Sequence, residues 1–321
     1  MDFGWDDRRS RNVSQRRVLV TGSGGQLGQD LVRALSGEVP DGGLKGDPST
    51  GRLGERPAVD VIGATRSSLD VTRREDVLEV FHGLRPAVVI HSAAFTAVDA
   101  CETDADRAYA VNAVGTRNVA EGARRYGAHL VVISTDYVFD GTSERPYVEW
   151  DQPNPVSVYG RSKLGAEMEA GPEATIVRTS WVSGVHGRNF VRTVLELASD
   201  PTRRLRFVDD QRGKPTFSAD LAGAVLMLAD SMLPGIFHVT NDGEATWFDV
   251  ARAVLAVSGG DPARVEAIST SELDPPRAAP RPANSVLDNA ALRLGGMELL
   301  PAWQEGLERM VAAMPSASSG V

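Results

Sequence analysis

The sequence predicts an α/β protein built on a doubly wound parallel sheet, with a smaller α/β lobe formed by its C-terminal half. Short apolar runs alternate with helical segments through the first half of the 321 residues, which is typical of a parallel sheet covered by helices. The runs consist of continuous Val, Ile and Leu, as in strands that are buried on both faces. The second half is less regular, which favours a separate and smaller lobe.

The alternation defines each element in order. We predict strands at 17–22, 59–65, 87–94, 129–136 and 174–180. We predict helices at 26–35, 74–84, 107–127 and 159–170. In the second half, the pattern predicts helices at 189–199, 217–231 and 247–259, a strand at 235–241 and a Pro-rich loop at 273–288.

The domain boundaries follow from these elements. The predicted units are a flexible tail at 1–15, the sheet domain at 16–180, the smaller lobe at 181–313 and a second flexible tail at 314–321. Residues 37–57 hold six Gly and three Pro, so we predict a loop insertion between the first helix and the second strand. Parts of 214–241 are expected to return to the sheet domain.

Composition and charge exclude several classes of protein. The net charge of −9 argues against a general nucleic-acid binder, because a phosphate backbone requires a basic surface. The single cysteine, Cys101, cannot form an intramolecular disulfide, which fits a reducing compartment. No run approaches the ~18 apolar residues of a membrane span. The sequence therefore predicts a cytoplasmic protein with neither nucleic acid nor a membrane as its partner.

A glycine-rich turn follows the first predicted strand, in the stretch "VLVTGSGGQLGQDL". Gly22, Gly25 and Gly28 form a GxxGxxG pattern that opens a helix. Glycine lets the backbone approach a pyrophosphate, and the helix N-terminus offers amide donors and a positive dipole end. The alternative is a glycine-rich turn without a ligand. Together with the strand count, the pattern predicts a Rossmann-like domain that binds a dinucleotide.

The residues after the second and third strands predict how the rest of that dinucleotide is held. The stretch "GATRSS" has no acid at the strand end but places Arg66 there, which favours NADPH, while NADH stays possible. The alternative for Arg66 is a solvated loop charge. Asp70 and Val71 are predicted adenine contacts. Ala93 and Ala94 would let the cofactor lie flat, although simple helix–sheet packing also explains them.

Two further patterns predict a catalytic centre. Tyr159 and Lys163 lie four residues apart on a predicted helix and so share one face. An ammonium near a phenol favours the phenolate, which makes the phenol a better acid. Thr135, at the end of the strand at 129–136, is a candidate hydroxyl donor to a substrate oxygen. The alternatives are an incidental Tyr–Lys pair on a surface helix and a Thr that only caps a turn.

The combination of the glycine loop, a Thr at a strand end and Tyr-x-x-x-Lys on the next helix resembles the extended short-chain dehydrogenase/reductase superfamily. Within it, "AAFTAVDACE", "STDYVFDG", "VYGRSKLGAE", "RTSWV", "DQRGKPT" and "RPANSVLD" are similar to the dTDP-4-dehydrorhamnose reductase family. The similarity runs from about residue 17 to about residue 312.

The resemblance implies a role for each candidate residue. Tyr159 would donate a proton, Lys163 would lower its pKa and hold the nicotinamide ribose, and Thr135 would bind the sugar oxygen. The implied pyrophosphate contacts are Gly22, Gly25, Gln26, Leu27 and Gly28. The implied substrate contacts are Val98, Thr135, Asp136, Trp181 with a flat face towards the deoxyhexose, and Arg281 and Asn284 near the nucleotide diphosphate. Asn112 resembles a structural asparagine of the superfamily.

The implied activity is the NADPH-dependent reduction of the C4 keto group of dTDP-4-dehydro-L-rhamnose to give dTDP-L-rhamnose. A related nucleotide-sugar reductase or epimerase, or a non-catalytic regulatory subunit with this fold, stays open as an alternative. Some relatives hold Mg²⁺ with glutamates at a dimer interface. The position here looks like Asp30, so the sequence does not support a metal, and the resemblance allows a homodimer without requiring one.

Overall fold

A computed structural model of the chain describes residues 16–40, 42–43 and 59–314. The strands are β1 Arg16–Thr21, β2 Val59–Ala64, β3 Val88–His91, β4 His129–Thr135, β5 Thr175–Thr179, β6 Val182–Ser183, β7 Leu205–Val208, β8 Arg212–Gly213, β9 Thr216–Phe217, β10 Gly235–His238, β11 Ala245–Thr246 and β12 Val265–Ile268. The predicted tail at 1–15, residues 315–321 of the predicted tail at 314–321, and residues 41 and 44–57 of the predicted insertion lie outside the described residues.

The helices surround these strands on both faces. They are α1 Gln26–Leu35, α2 Arg74–Leu84, α3 Val98–Thr103, α4 Ala105–Tyr109, α5 Gly115–Tyr126, α6 Val158–Ala170, α7 Phe190–Ala198, α8 Ser218–Ser231, α9 Trp247–Val257, α10 Ala290–Leu294 and α11 Trp303–Ala313. A π-helical turn, Ala110–Val114, joins α4 to α5. Within the described part of the chain, no helix is long and apolar enough to cross a membrane.

The main sheet has six strands in the order β10-β5-β4-β3-β1-β2, and every neighbouring pair is parallel. The chain order reverses between β1 and β3, and ligands of open α/β sheets bind at the carboxyl side of such a point. The predicted doubly wound parallel sheet is confirmed. Its sixth strand, β10, comes from the second half of the chain and pairs with β5.

Two apolar layers enclose this sheet. On one face α1 and α8 pack through Leu31 and Leu221, both fully buried. On the other face α2 and α5 pack through Phe81 and Val119, also fully buried. The aliphatic strands are thus covered on both sides, as their continuous apolar sequence requires.

A third apolar core lies in the second half of the chain. Helices α7, α9 and α11 pack around Val194, Leu255 and Leu307, each of which is fully buried. The strands of this part are short. Strand β7 pairs with β12, which lies nearly 60 residues later in the sequence. Leu205 lies opposite Val265, and Val208 lies opposite Ile268. Trp181 packs against this core and also lines the cleft described below.

The structure differs from the predicted elements in the bounds of some elements and in the presence of others. The helix predicted at 107–127 is divided into α4, the π-helical turn and α5. The strand predicted at 87–94 ends at His91, because the following residues leave the sheet and pass close to the glycine turn. Helices α3, α10 and α11, the β7–β12 pair and the two-residue strands β6, β8, β9 and β11 were not predicted.

Candidate active site

A cleft of about 660 Å³ lies at the carboxyl edge of the main sheet. This volume is within the range of sites that bind small molecules and cofactors. Sixteen of the predicted site residues line it, namely Gly22, Gly25, Gln26, Leu27, Gly28, Arg66, Asp70, Val71, Ala93, Ala94, Val98, Thr135, Asp136, Tyr159, Lys163 and Trp181. The fold therefore brings together residues that are far apart in the sequence.

The glycine turn between β1 and α1 forms the floor of the cleft. Gly22 has a φ of +72°, and a Cβ there would lie 2.6 Å from the backbone nitrogen of Ala93. A Cβ on Gly28 would collide with the carbonyl oxygen of Gly22. Gly25 donates its N–H to that same oxygen at 2.9 Å and closes the turn. The close packing of this turn leaves no space for side chains at Gly22 and Gly28.

Helix α1 begins at Gln26, directly after this turn. Gly25 occupies the N-cap position, and among the described residues no side chain caps the helix. The first-turn amides of a helix have no partner within it, so they are available to an anionic group. The turn and the helix start together fit the pyrophosphate of a dinucleotide.

The end of β2 carries hydroxyl groups and a guanidinium. Thr65 Oγ1 lies 2.8 Å from Ser67 Oγ, and Ser68 Oγ accepts a hydrogen bond from Thr65 N at 2.9 Å. Arg66 is exposed and lines the cleft beside them. Because hydroxyls and guanidinium groups donate hydrogen bonds to phosphate, this corner fits a 2′-phosphate better than a free ribose diol. The sequence reasoning used Arg66 but missed the neighbouring serine hydroxyls.

Asp70 lies at the same end of the cleft. Its Oδ1 accepts hydrogen bonds from Thr72 N at 3.0 Å and Thr72 Oγ1 at 2.7 Å. These two hydrogen bonds are the main reason why the pKa of Asp70 lies below its usual value. The carboxylate is therefore charged and fixed in orientation, as an acceptor for an adenine amine would need to be.

The N-terminus of α6 carries Tyr159 into the cleft. Ser157 caps this helix by accepting the N–H of Gly160 at 3.1 Å, and Glu102 Oε1 accepts the N–H of Val158 at 2.7 Å. The Tyr159 ring packs edge-on against Tyr137, with 5.6 Å between ring centroids. Tyr159 is only 9% exposed, so the surrounding residues restrict the orientation of its ring.

Lys163 lies one turn further along α6 and also faces the cleft. Its ammonium donates to the carbonyl oxygen of Ile133, on β4, at 2.6 Å. Burial lowers the pKa of Lys163 to about 8, and the charge of Glu167 opposes this shift. Burial raises the pKa of Tyr159, with a hydrogen bond from Thr135 opposing it. Burial is thus the main influence on the acidity of this phenol, and the acidifying effect expected of the Lys163 ammonium stays a prediction.

Thr135 is the last residue of β4, Asp136 follows it, and both lie beside Tyr159. Thr135 Oγ1 donates to Asp136 Oδ1 at 3.0 Å and accepts the N–H of Tyr137 at 3.2 Å. Asp136 is only 1% exposed, and burial raises its pKa to about 6 although hydrogen bonds from Ser285 and Thr135 favour the charged form. Burial therefore makes the Asp136 carboxyl group a weaker acid than an exposed aspartate.

A buried ion pair supports these residues from below. Arg178, on β5, donates to both carboxylate oxygens of Glu167, at 2.9 and 2.7 Å. Ser134 Oγ donates to the same carboxylate at 2.5 Å. The Arg178 and Glu167 side chains are 1% and 6% exposed. Since Glu167 lies one turn beyond Lys163, the pair fastens α6 to the ends of β4 and β5.

Asn112 lies in the π-helical turn and is almost fully buried. Its side chain accepts the N–H of Phe95 at 2.8 Å and donates to Ser162 Oγ at 2.9 Å. It therefore joins the loop after β3 to α6, between Tyr159 and Lys163. Such π-helical turns occur often at functional sites. The structural role that the resemblance implies for this asparagine agrees with these contacts.

Two predicted substrate residues do not line the cleft. Arg281 donates to both carboxylate oxygens of Asp99, at 2.8 and 2.7 Å, and this pairing lowers the pKa of Asp99 to about 2. Asn284 donates to the carbonyl oxygen of Ser143 at 2.7 Å. Both residues hold the Pro-rich loop against the first half of the chain. A substrate contact for either one stays a prediction.

The structure adds cleft residues that sequence reasoning missed. Arg107 stacks over the ring of Phe95, with 4.5 Å from its guanidinium carbon to the ring centroid. Trp247 stacks on Trp181, and both line the cleft. Arg107 could have been found from its place on a helix near the third strand. Trp247 has no local signal, because only the tertiary fold brings it to the cleft.

We find no group of three or more His, Cys, Asp or Glu side chains able to hold a metal ion among the residues that the structure describes. Asp30, where the resemblance places the position of a metal ligand in some relatives, is buried and accepts a hydrogen bond from Ser218 Oγ at 2.5 Å.

Comparison with protein families gives one match along most of the chain. A family model described as the RmlD substrate binding domain matches residues 50–316. The spore coat polysaccharide biosynthesis protein SpsK of Bacillus subtilis is 39% identical over 304 residues, which cover 94% of this chain and 99% of that protein. A dTDP-4-dehydrorhamnose reductase of Mycobacterium tuberculosis is 39% identical over 313 residues, which cover 94% of this chain and 95% of that enzyme.

A solved structure shares the same architecture. It is the dTDP-4-dehydrorhamnose reductase of Bacillus anthracis in complex with NADP, which superposes with a TM-score of 0.82 at 36% identity. The match covers 93% of this chain and 99% of that chain. It therefore includes both the sheet domain and the second half of the fold.

Proposed function

The chain belongs to the family of the RmlD substrate binding domain, and from this premise we propose that it reduces the C4 keto group of dTDP-4-dehydro-L-rhamnose with NADPH. The product is dTDP-L-rhamnose, and the chain is an oxidoreductase of the extended short-chain dehydrogenase/reductase superfamily. The observation that carries the proposal is the convergence of Thr135, Tyr159 and Lys163 on the same cleft as the glycine turn.

NADPH is the cofactor, as in the solved relative with NADP. The amides at the start of α1 would bind its pyrophosphate, and Arg66 with the hydroxyls around Thr65 would bind its 2′-phosphate. Ala93 and Ala94 would leave room for the cofactor across the end of β3. Lys163 would hold the nicotinamide ribose. When bound, the nicotinamide supplies the hydride that reduces C4.

The proton that completes the reduction comes from Tyr159 in this proposal. Its raised pKa keeps the phenol protonated at neutral pH, so the proton is available when an alkoxide forms at C4. The alkoxide is far more basic than a phenolate and takes this proton from Oη of Tyr159. Thr135 lies beside the phenol and would stabilise negative charge on the same oxygen once its hydroxyl turns from Asp136 towards the sugar.

The test is a turnover assay with purified protein, NADPH and dTDP-4-dehydro-L-rhamnose. We expect one NADPH to be oxidised for each dTDP-L-rhamnose formed, read by absorbance and by product chromatography. An epimerase would form a product without net NADPH loss, and a regulatory subunit would give neither signal. Either of these results would contradict the proposed reduction.

Replacing Arg66 tests the cofactor preference. We expect Arg66→Ala to weaken NADPH binding by about ten- to a hundredfold, since a charge-assisted hydrogen bond contributes about 1.5–3 kcal/mol. NADH binding should stay unchanged, because NADH has no 2′-phosphate. Titration of both cofactors by nicotinamide fluorescence measures the two affinities. No loss for either cofactor would show that Arg66 is a solvated loop charge, and equal losses for both would contradict a contact with the 2′-phosphate.

The low pKa of Lys163 predicts a pH dependence of cofactor binding. The pKa of about 8 in the folded chain lies below the usual value of 10.5, so the amine loses its proton as the pH rises through 8. If the ammonium holds the ribose, the affinity for NADPH is constant below that pH. Above it the affinity falls by at most about tenfold per pH unit, as expected for one proton. Dissociation constants measured from pH 6.5 to 9.5 test this.

The matched control is Lys163→Met, which keeps the length of the side chain and removes its charge. Its affinity should be weaker at neutral pH and should not change between pH 7 and 9. A wild-type profile that stays flat through pH 9, or a variant that retains the same pH dependence, would contradict the assignment.

Compartment and assembly complete the proposal. The only cysteine, Cys101, is buried and unpaired, which supports placing the enzyme in the reducing environment of the cytoplasm. A nucleotide sugar is its partner in the cleft. We propose that the active enzyme is a homodimer, and light scattering of the full chain measures its oligomeric state.

A further inference from the structure

Two tryptophans form a stacked pair at the wall of the cleft. The rings of Trp181 and Trp247 are nearly parallel, with an interplanar angle of 8° and 3.6 Å between ring centroids. Trp181 follows β5 at the end of the main sheet, whereas Trp247 is the first residue of α9 in the second half of the chain. The pair therefore joins the two parts of the protein at the point where both border the cleft.

The backbone of Trp181 is held in an unfavourable conformation. Its φ of +48° lies in the left-handed region, which is rare for residues with a bulky side chain. Such a conformation persists only where the surrounding structure fixes it, and it occurs preferentially at ligand sites. Two neighbouring hydrogen bonds hold this segment, from Thr216 N to Trp181 O at 3.4 Å and from Ser180 Oγ to Lys214 O at 2.6 Å.

Gly213, on β8, covers the indole of Trp181. A Cβ at Gly213 would lie 2.5 Å from Cε2 and 2.7 Å from both Cζ2 and Nε1 of that indole. The nearly equal distances place Gly213 above the ring plane. Because Trp247 lies against one face at 3.6 Å, Gly213 lies on the opposite face. The Trp181 indole is therefore contacted from both faces within the protein, and its orientation towards a deoxyhexose stays a prediction.

Trp247 is itself rigidly placed. It follows the N-cap of α9, where Thr246 and Asp249 form a capping box. Phe190 packs on its other side, with 4.5 Å between ring centroids and an angle of 52°. Trp247 thus rests on the apolar core of the second half, which makes it a firm support for the indole of Trp181.

We propose that Trp247 is a positioning residue for the sugar end of the cleft, which fixes the Trp181 indole as a rigid wall against the deoxyhexose ring of the nucleotide sugar. The inference rests on the proposed function, since it assigns the sugar to this end of the cleft. Its physical basis is preorganisation. A wall that is already fixed costs less conformational entropy when the ligand binds than a side chain that must first be ordered.

The test separates substrate binding from the chemical step. Loss of an aromatic pair corresponds to about a two- to twelvefold change in affinity, so we expect Trp247→Ala to raise KM for the keto-sugar nucleotide about three- to tenfold. The kcat and the Kd for NADPH should remain within about twofold of the wild type. Trp247→Phe retains a ring that can stack and should recover most of the loss in KM.

Phe248→Ala is the matched control for stability. Phe248 lies next to Trp247 on α9, is partly buried in the same core and does not line the cleft. Its removal should lower the melting temperature without raising KM. A similar rise in KM for Phe248→Ala, or an unchanged KM for Trp247→Ala, would overturn the inference. The inference would also be overturned if the Trp247→Phe variant bound the substrate as weakly as the Trp247→Ala variant.

A second readout keeps this inference distinct from the proposed activity. Calorimetric titration with dTDP-L-rhamnose, without NADPH turnover, measures the contribution of Trp247 to sugar-nucleotide binding. Wild-type protein that binds this ligand but reduces no keto sugar would contradict the proposed reaction, while the comparison of the variants still tests the tryptophan pair. Turnover by the wild type with no difference among the variants would contradict only the pair.

Discussion

Tyr159→Phe is expected to reduce kcat by on the order of 10²–10⁴, the range that a positioned proton donor contributes. The substitution removes only the hydroxyl, and the ring stays in its edge-on contact with Tyr137. The alkoxide at C4 then has no acid at the position of Oη and must take its proton from water. The measurement is NADPH oxidation with saturating keto-sugar nucleotide.

Binding data make this result specific. The affinity of Tyr159→Phe for NADPH should stay near that of the wild type, because the glycine turn and the start of α1 are unchanged. Tyr126→Phe is the matched control, since Tyr126 lies at the end of α5 and its hydroxyl contacts His82 outside the cleft. It should retain full activity. A Tyr159→Phe enzyme with wild-type kcat would remove Tyr159 from the mechanism.

Glu167→Ala is expected to lower the free energy of unfolding by about 3–5 kcal/mol, the cost of leaving a buried charge without its partner. Arg178 is 1% exposed and donates to both oxygens of this carboxylate. The variant leaves its guanidinium buried and without that acceptor. The loss also frees Ser134 and loosens α6 from β4, so activity should fall together with stability. Urea denaturation followed by circular dichroism measures the change.

An exposed ion pair gives the control for this experiment. Glu121 pairs with Arg74 on the surface between α2 and α5, at 2.5 Å. Glu121→Ala should cost much less stability than Glu167→Ala, because solvent screens exposed pairs and side-chain ordering offsets their attraction. If Glu167→Ala costs no more than Glu121→Ala, the buried pair does not hold the site together.

The sheet and the glycine turn could be predicted from the sequence because both depend on local patterns. Each of these patterns can be recognised within a dozen residues of sequence. They are the continuous apolar strands, the helices of regular length and the GxxGxxG turn after the first strand. The pairing of β7 with β12 could not be found in this way, since it joins segments nearly 60 residues apart. Helix α11 was not predicted from the sequence, because it comes after a long irregular stretch of the chain.

The candidate site was predicted through its motifs and not through its electrostatics. Because Tyr159 and Lys163 are four residues apart on α6, the sequence alone predicts that they share one face of the helix. The direction of the Tyr159 pKa depends on burial by Tyr137 and other neighbours, which only the folded chain defines. Trp247 shows the same limit, since its contact with Trp181 depends on how α9 packs against the end of β5.

The place of β10 in the main sheet has a consequence for how the chain folds. This strand covers what would otherwise be the open side of β5, and α8 just before it covers α1. A polypeptide that ended near residue 180 would present unpaired backbone N–H and C=O groups along β5, a template for aggregation. The first half therefore acquires the native edge of its sheet only after β10, in the second half, has been synthesised.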